Sequence, residues 1–318
     1  MKPPYTINAP IIQLIVEISQ KMGEINSSLL IKQAPALRKR NRIRTIQASL
    51  AIEGNTLSID QITAIIENKR VLGPNKDIKE VTNAIEVYNQ LHLLKPNTEK
   101  SFLAAHKTLM QGLIIHPGQY RKTGVGIVKG NQLAHLAPPA KNIPYLMKDL
   151  FEYLKISEDH VFIKSCVFHY EMEFIHPFTD GNGRMGRLWQ TLLLLKEYPL
   201  FEYLPFETLI SKNQKAYYKA LANSDKTGES TQFIVFMLST INTSLDELLQ
   251  ERIGPVTNED RIQIFLATSV KEFTRKDYLN YFKTISTATA SRDLNKAVKE
   301  KLILKIGDKS NTIYTPIK

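Results

Sequence analysis

The sequence predicts an all-α protein with one small β-hairpin inserted in it, followed by a second unit of three helices and another hairpin. Three observations support this. Apolar residues recur at helical spacing through most of the 318 residues. Residues 117–137 break that pattern, with two short apolar runs on either side of Gly130-Asn131, as a hairpin requires. Arg252-Ile-Gly-Pro-Val-Thr-Asn258 is a Gly-Pro linker, which divides the chain into a first domain at 1–252 and a second at 259–318.

In order, Ile11, Ile12, Leu14, Ile15 and Ile18 make a helical stripe over 9–22. Residues 35–42 are a basic run, expected as a solvated face. Ile43, Ile46 and Leu50 then share one face of a helix at about 42–54, which Gly54 ends. Ser49 and Glu53, four apart, share a face as well; alone, that is a surface carboxylate. Ser58 with Gln61 reads as a capping box opening a helix to about Asn68, and Asp77 with Glu80 as another opening 78–94. The helix at 98–113 carries His106, read as structural. His135 belongs to the hairpin, at about 124–137. Helices follow at 142–155 and 159–175, the second turning Val161, Phe162, Val167, Phe168 and Phe174 toward a core, and then at 184–197. A Pro-marked connection leads to one helix from Leu209 carrying Asn213, Tyr217 and Tyr218. An amphipathic helix at 229–250 closes the first domain. Beyond the linker come helices at 259–270, 275–282 (capped by Thr274) and 287–301, then a two-stranded hairpin through 302–314.

Composition excludes several classes. Cys166 is the single cysteine, so no disulfide framework or cysteine zinc site exists, and a reducing compartment fits. Its apolar context reads as a small buried residue. No apolar run is long enough to span a bilayer, and the N-terminus lacks a signal peptide's apolar core. The expectation is a soluble, cytoplasmic protein. The formal net charge of +11 favours acidic partners, nucleotide or DNA, without choosing between them.

The densest chemistry lies in Phe174-Ile-His-Pro-Phe-Thr-Asp-Gly-Asn-Gly-Arg-Met-Gly-Arg187. His176 can carry a proton at neutral pH, as a general base must. Asp180 offers oxygen to a hard cation such as Mg²⁺. Gly181-Asn182-Gly183 frees the backbone for a turn whose N–H groups gather an anion, and it feeds a helix N-terminus. Arg184 and Arg187 project from neighbouring positions on the first turn, where two cations disfavour the helix unless a polyphosphate sits there. The set points to a nucleoside triphosphate cleaved beside a hydroxyl. It is neither a Walker A loop nor a dinucleotide fingerprint.

His176 to Arg187 resembles the signature of Fic-domain proteins, His-Pro-Phe-x-(Asp/Glu)-Gly-Asn-Gly-Arg-x-x-Arg, at every signature position. The resemblance implies a Fic-type helical core that transfers AMP from ATP to a Ser, Thr or Tyr hydroxyl of a target protein, or of itself. It implies His176 as the base and Asp180 as the Mg²⁺ ligand. Gly181, Asn182 and Gly183 would cradle the phosphates, with Arg184, Met185, Gly186 and Arg187 in the same ATP-binding stretch. It also implies Asn213 and Tyr217 beside the nucleotide, with core packing an equal reading of Tyr218, and the hairpin as the flap that docks the target. Ser49-x-x-x-Glu53-Gly54 resembles the family's inhibitory motif, whose glutamate pairs with the second arginine, here Arg187. Two other functions stay open: a DNA-binding regulator whose pocket senses nucleotide, and AMP removal with Glu53 positioning water.

The helix, helix, helix, hairpin order after 258 resembles a winged helix-turn-helix with Ser286–Lys299 as recognition helix. Residues 255–318 hold 12 Lys and Arg against 7 Asp and Glu, as DNA contact requires. Winged helices also serve as docking or dimerisation modules, so protein docking, with a homodimer as one form of it, stands beside DNA binding as an alternative.

Overall fold

The structure is a computed structural model describing residues 2–27, 35–124, 126–129, 132–251, 258–266, 268, 270–283, 285–307 and 312–317. The chain is all-α with a small antiparallel hairpin in its first part and another at its end. It divides into two compact units: Met1–Met22 with Arg40–Asp246, and Gly23–Lys39 with Glu247–Lys318. The predicted linker and the tips of both hairpins lie outside the described residues. No described helix is long and apolar enough to cross a membrane.

The helices up to the first hairpin are α1 (Ala9–Ser27), α2 (Pro35–Ile52), α3 (Ile59–Ile66), α4 (Asn75–Asn89) and α5 (Glu99–Leu109). The hairpin is β1 (Gly126–Lys129) with β2 (Gln132–Leu136), in register Gly126 to Leu136 and Lys129 to Gln132, with a bulge after Ile127. Then come α6 (Ile143–Ile156), α7 (Val161–Ile175), α8 (Asn182–Glu197), α9 (Glu207–Lys212), α10 (Gln214–Thr227) and α11 (Thr231–Glu251). The centre of the first unit is α7 against α8. From Arg184 to Leu194 every residue of α8 is buried, so this helix has no solvent stripe and its two arginines go inside with it. Phe102 of α5 joins the two helices. Its ring meets Trp189 edge-on at 5.0 Å and Phe168 at 5.9 Å, and stacks on Phe178 at 5.4 Å. The Trp189 indole N–H donates to Pro96 O at 2.8 Å, so the one polar atom of that ring is satisfied.

Several elements depart from the sequence reading. The helix expected from about 42 begins at Pro35, so the basic run forms the first turns of α2; Arg38, Lys39 and Arg40 are exposed, as a solvated face requires, and Asn41 turns inward to donate to Tyr203 O at 2.6 Å. Ser58 and Gln61 do close a capping box on α3. Asp77 and Glu80 do not on α4: Asp77 accepts from the Thr56 N–H and hydroxyl, and Glu80 is drawn to Arg184. The predicted helix from Leu209 is two, α9 and α10, broken at Asn213. Phe174 faces solvent rather than core, at 36% exposure.

The second unit contains α12 (Asn258–Leu266), α13 (Arg275–Tyr281), α14 (Thr287–Lys299), β3 (Ile303–Ile306) and β4 (Ile313–Pro316). Thr274 and Asp277 form a capping box on α13, and Ser286 caps α14 through Thr289 N–H. Phe265, Phe273, Tyr278, Leu294, Ile303 and Tyr314 form its core. Asp293 is fully buried there, and the Arg261 guanidinium (2.6 Å) and the Tyr278 hydroxyl (3.1 Å) satisfy it.

Phe102 is fully buried at the meeting point of α5, α7 and α8. Phe102→Ala should therefore lower unfolding free energy by about 3–5 kcal/mol. Urea denaturation measures it; a loss below about 1 kcal/mol would show that the aromatic cluster does not organise this unit.

Candidate active site

The site grows from the way α7 stops and α8 starts. Pro177 disfavours the right-handed helical region for the residue before it. His176 takes the left-handed conformation instead (φ 49°, ψ 59°), and its N–H closes on Met172 O at 3.0 Å. The left-handed region costs a non-glycine residue about 1–2 kcal/mol, so the surroundings must hold His176 there. Below it, Phe178 lies flat on the His106 ring, centroids 3.5 Å apart and planes 5° apart. The Asn182 amide accepts from Phe178 N–H and donates to Phe178 O, both at 2.9 Å, which fastens the start of α8 to the turn. Gly181 sits at φ 86°, where a Cβ would lie 2.7 Å from Met110 Sδ; the turn therefore requires glycine.

The first hydrogen bond within α8 runs from Met185 N–H to Gly181 O, so the N–H groups of Asn182, Gly183 and Arg184 precede the helix ladder and face its positive end. An acid already lies there. The Glu53 carboxylate is so near Gly183 that a Cβ on that residue would collide with its Oε1. Glu53 accepts from Arg187 Nη2 at 2.7 Å. Arg187 is fully buried and also donates to the Ser49 hydroxyl (3.1 Å) and Ser49 O (2.9 Å). Burial works against its charge, but Glu53 outweighs this and holds the guanidinium above the ordinary arginine range. Arg184, also buried, donates to Glu80 at 3.1 Å and to Asp180 at 3.0 Å. Both signature arginines are thus aimed by carboxylates.

Behind them, Tyr217 is buried, its hydroxyl 3.1 Å from His169 Nε2 and donating to Glu173 at 3.3 Å. His169 Nδ1 meets Gln190 at 2.6 Å, and burial holds this histidine down to about 3. Burial likewise pushes the Glu173 carboxyl up to about 7, with Arg187 pulling the other way. Asn213 is exposed where α10 begins. Gln214 donates to Ile52 O at 2.7 Å and so ties the end of α2 to α10.

The structure therefore brings together Ser49, Glu53, Asp180, Gly183, Arg184 and Arg187 around the start of α8, with His176 at the end of α7. Two residues of the predicted ATP-binding stretch face elsewhere. Met185 is fully buried, and Gly186 is pressed against His169, where a Cβ would lie 2.6 Å from Cδ2. The Asn182 amide is likewise spent on Phe178, which leaves its N–H for an anion. Sequence reasoning missed Glu80 and Arg121. Glu80 looked like half of a capping box, and Arg121 had no partner in sequence. For a cation, Asp180 is a single half-exposed carboxylate, and the described residues hold no cluster of three or more acidic, His or Cys ligands. That donor set fits Mg²⁺, which takes one or two carboxylates and completes its shell with water and substrate phosphates.

A Fic/DOC family model matches residues 96–194. The "Protein adenylyltransferase Fic" of Nematostella vectensis is 27% identical over 257 residues, 74% of this chain and 57% of that protein. The "Protein adenylyltransferase fic-1" of Caenorhabditis elegans is 26% identical over 258 residues, 72% of this chain and 48% of that one. The chain thus spans about half the length of the curated relatives it matches. Among solved structures, a Fic family protein from Desulfovibrio desulfuricans G20 is 40% identical, with a TM-score of 0.75, covering 100% of this chain and 98% of that one. Fic-1 from C. elegans, at 20% identity and a TM-score of 0.63, shares the fold over 77% of this chain and 73% of that one.

His106 gives the site a pH dependence. Its Nδ1 accepts from Gly118 N–H (2.9 Å) and its Nε2 donates to Asp180 O (3.0 Å), so the ring is neutral. Burial lowers it from 6.5 to about 4. The unfolded chain takes up this proton first on acidification. The stabilisation is therefore complete above about 6.5 and is lost as pH falls toward about 4. Thermal denaturation of wild type and His106→Gln from pH 7.5 to 4 should show the wild type losing more stability. Parallel curves would show that His106 titrates alike in both states.

Proposed function

This chain belongs to the Fic family, and from that premise we propose that it is a protein adenylyltransferase, transferring AMP from ATP to a protein hydroxyl and held in check by Glu53. One observation carries the reading: a fully buried arginine on the second turn of α8 is paired at 2.7 Å with a carboxylate that sits against Gly183, beside the N–H groups that precede the helix ladder. A glutamate there takes the place of a terminal phosphate and engages the guanidinium that would clamp it.

In the uninhibited state the phosphates lie over Gly181 to Gly183, with Arg184 and Arg187 on the β and γ groups. His176 takes the proton of the target Ser, Thr or Tyr. The hydroxyl oxygen bonds to the α-phosphorus in line with the bond to the bridging oxygen, which breaks, and pyrophosphate leaves. Asp180 would hold Mg²⁺, which neutralises the leaving charge. The hairpin β1–β2, whose flanking Thr123 and Pro138 share the Arg121 guanidinium with His176, receives the target segment by strand addition. Backbone bonds dominate such docking, so target sequence is only weakly constrained.

With Glu53 in place, ATP enters, but its α-phosphate is turned from the line of attack. Glu53→Gly should therefore raise labelling of the chain or of lysate proteins by about a hundredfold. Adding Arg187→Ala should cancel the gain, and adding His176→Ala should abolish transfer while sparing ATP binding. Mass spectrometry after incubation with ATP and Mg²⁺ reads all four proteins. Equal labelling of wild type and Glu53→Gly would reduce α2 to a core helix. Undiminished transfer without His176 would remove the base.

For the second unit we propose a winged helix-turn-helix that binds DNA. The supporting observation is that Arg292 and Lys299 lie on the exposed face of α14, whose buried face carries Ala290, Leu294 and Ala297. The full-length chain should bind duplex DNA with affinity falling steeply as salt rises, and Arg292→Ala should flatten that slope. No binding at low salt would favour a docking or dimerisation module instead.

A further inference from the structure

Arg121 stands on the connection from α5 to the hairpin and is 3% exposed. Among the described residues all partners of its guanidinium are backbone carbonyls: His176 O from Nε (2.7 Å), Thr123 O from Nη1 (2.7 Å), and Pro138 O (2.6 Å) and Ile175 O (3.4 Å) from Nη2. Its own N–H donates to Pro177 O at 2.9 Å. Burial lowers its pKa. Carbonyls at the negative end of α7 offset the charge.

The placement of these carbonyls matters. Ile175 and His176 end α7 and would otherwise leave orphan acceptors in a buried turn. Thr123 precedes β1 and Pro138 follows β2. One planar guanidinium thus holds the left-handed backbone of His176 together with both roots of the hairpin. Its several donors point in fixed directions, which a lysine ammonium cannot reproduce.

We propose that Arg121 is a positioning residue that sets the distance between the His176 imidazole and the hairpin on which the target hydroxyl docks. This rests on the adenylyltransferase reading. Arg121 is buried and its guanidinium is turned to backbone carbonyls, so its loss should act on the rate of transfer and not on ATP affinity.

The test has two arms. Backbone hydrogen exchange is measured on full-length wild type, Arg121→Lys and Arg121→Gln. AMP transfer and ATP affinity are measured with the same substitutions placed in Glu53→Gly. Exchange should rise about tenfold or more across 122–138 and 176–178, while α2, α8 and α11 keep wild-type protection. Transfer should fall about a hundredfold with ATP affinity unchanged, the loss expected from a misplacement of about 1 Å. Wild-type exchange in the hairpin overturns the proposal whatever transfer does. Transfer within about twofold of the parent overturns it too, as does a loss of ATP affinity equal to the loss in transfer. A uniform rise in exchange along the chain in both variants marks a general core residue and also overturns it. If Glu53→Gly itself transfers no AMP, the adenylyltransferase reading fails, and the exchange arm still decides whether Arg121 couples the histidine to the hairpin.

Discussion

A fully buried guanidinium must be answered by an acceptor, because an unpaired charge in a protein interior costs several kcal/mol. Arg187 is such a group, and α2 answers it with the Ser49 hydroxyl, the Ser49 carbonyl and the Glu53 carboxylate. Much of the local sequence follows from that demand. Position 183 is glycine because the carboxylate comes within what would be Cβ contact. Position 54 is glycine because the chain must leave α2 at φ 89° just after placing Glu53. In the proposed function the same demand gives the site two competing occupants. A carboxylate and a phosphate are both anions, and both suit the N-terminus of α8 and its arginine. Which one Arg187 holds is the difference between the resting and working states in the proposed function.

The other half of the site is held by backbone rather than charge. His176 lies in a conformation that non-glycine residues avoid, and three contacts keep it there. Pro177 excludes the helical alternative, Asn182 fastens Phe178 to the start of α8, and Arg121 collects the carbonyls that the end of α7 leaves open. His106 belongs to the same frame, stacked on Phe178 and bonded to Asp180 O. The helices around it are largely a rigid mount for a six-residue turn.

Much of this was legible in sequence, for identifiable reasons. The helices carried 3.6-residue periodicity, the hairpin carried Gly130-Asn131, and the turn between α7 and α8 carried a run too unusual to be coincidental. Serine and glutamate four apart on α2 announced a shared face, though only the resemblance named Arg187 as their partner. What stayed hidden was long-range pairing. Nothing near Glu80 points to Arg184, 104 positions away, and its spacing from Asp77 matched a cap that Thr56 draws off instead. Arg121 reads as one of many surface cations until its carbonyls converge. The break at Asn213 was invisible because helix-forming residues lie on both sides. Met185 and Gly186 sat inside a motif, yet successive residues of a helix project about 100° apart, so in one buried all round only some of a motif's residues can face the site.

In the proposed function Glu53 stands where the terminal phosphate of ATP belongs. Calorimetric titration of wild type and Glu53→Gly with ATP and with ADP, each with Mg²⁺, tests it most directly. Wild type should bind the two nucleotides about equally, since the third phosphate finds its place taken. Glu53→Gly should prefer ATP over ADP by about tenfold, the worth of a charge-assisted bidentate contact of about 1.4 kcal/mol. An unchanged ATP to ADP ratio between the two proteins would contradict the claim and leave the pair as a support of the fold alone.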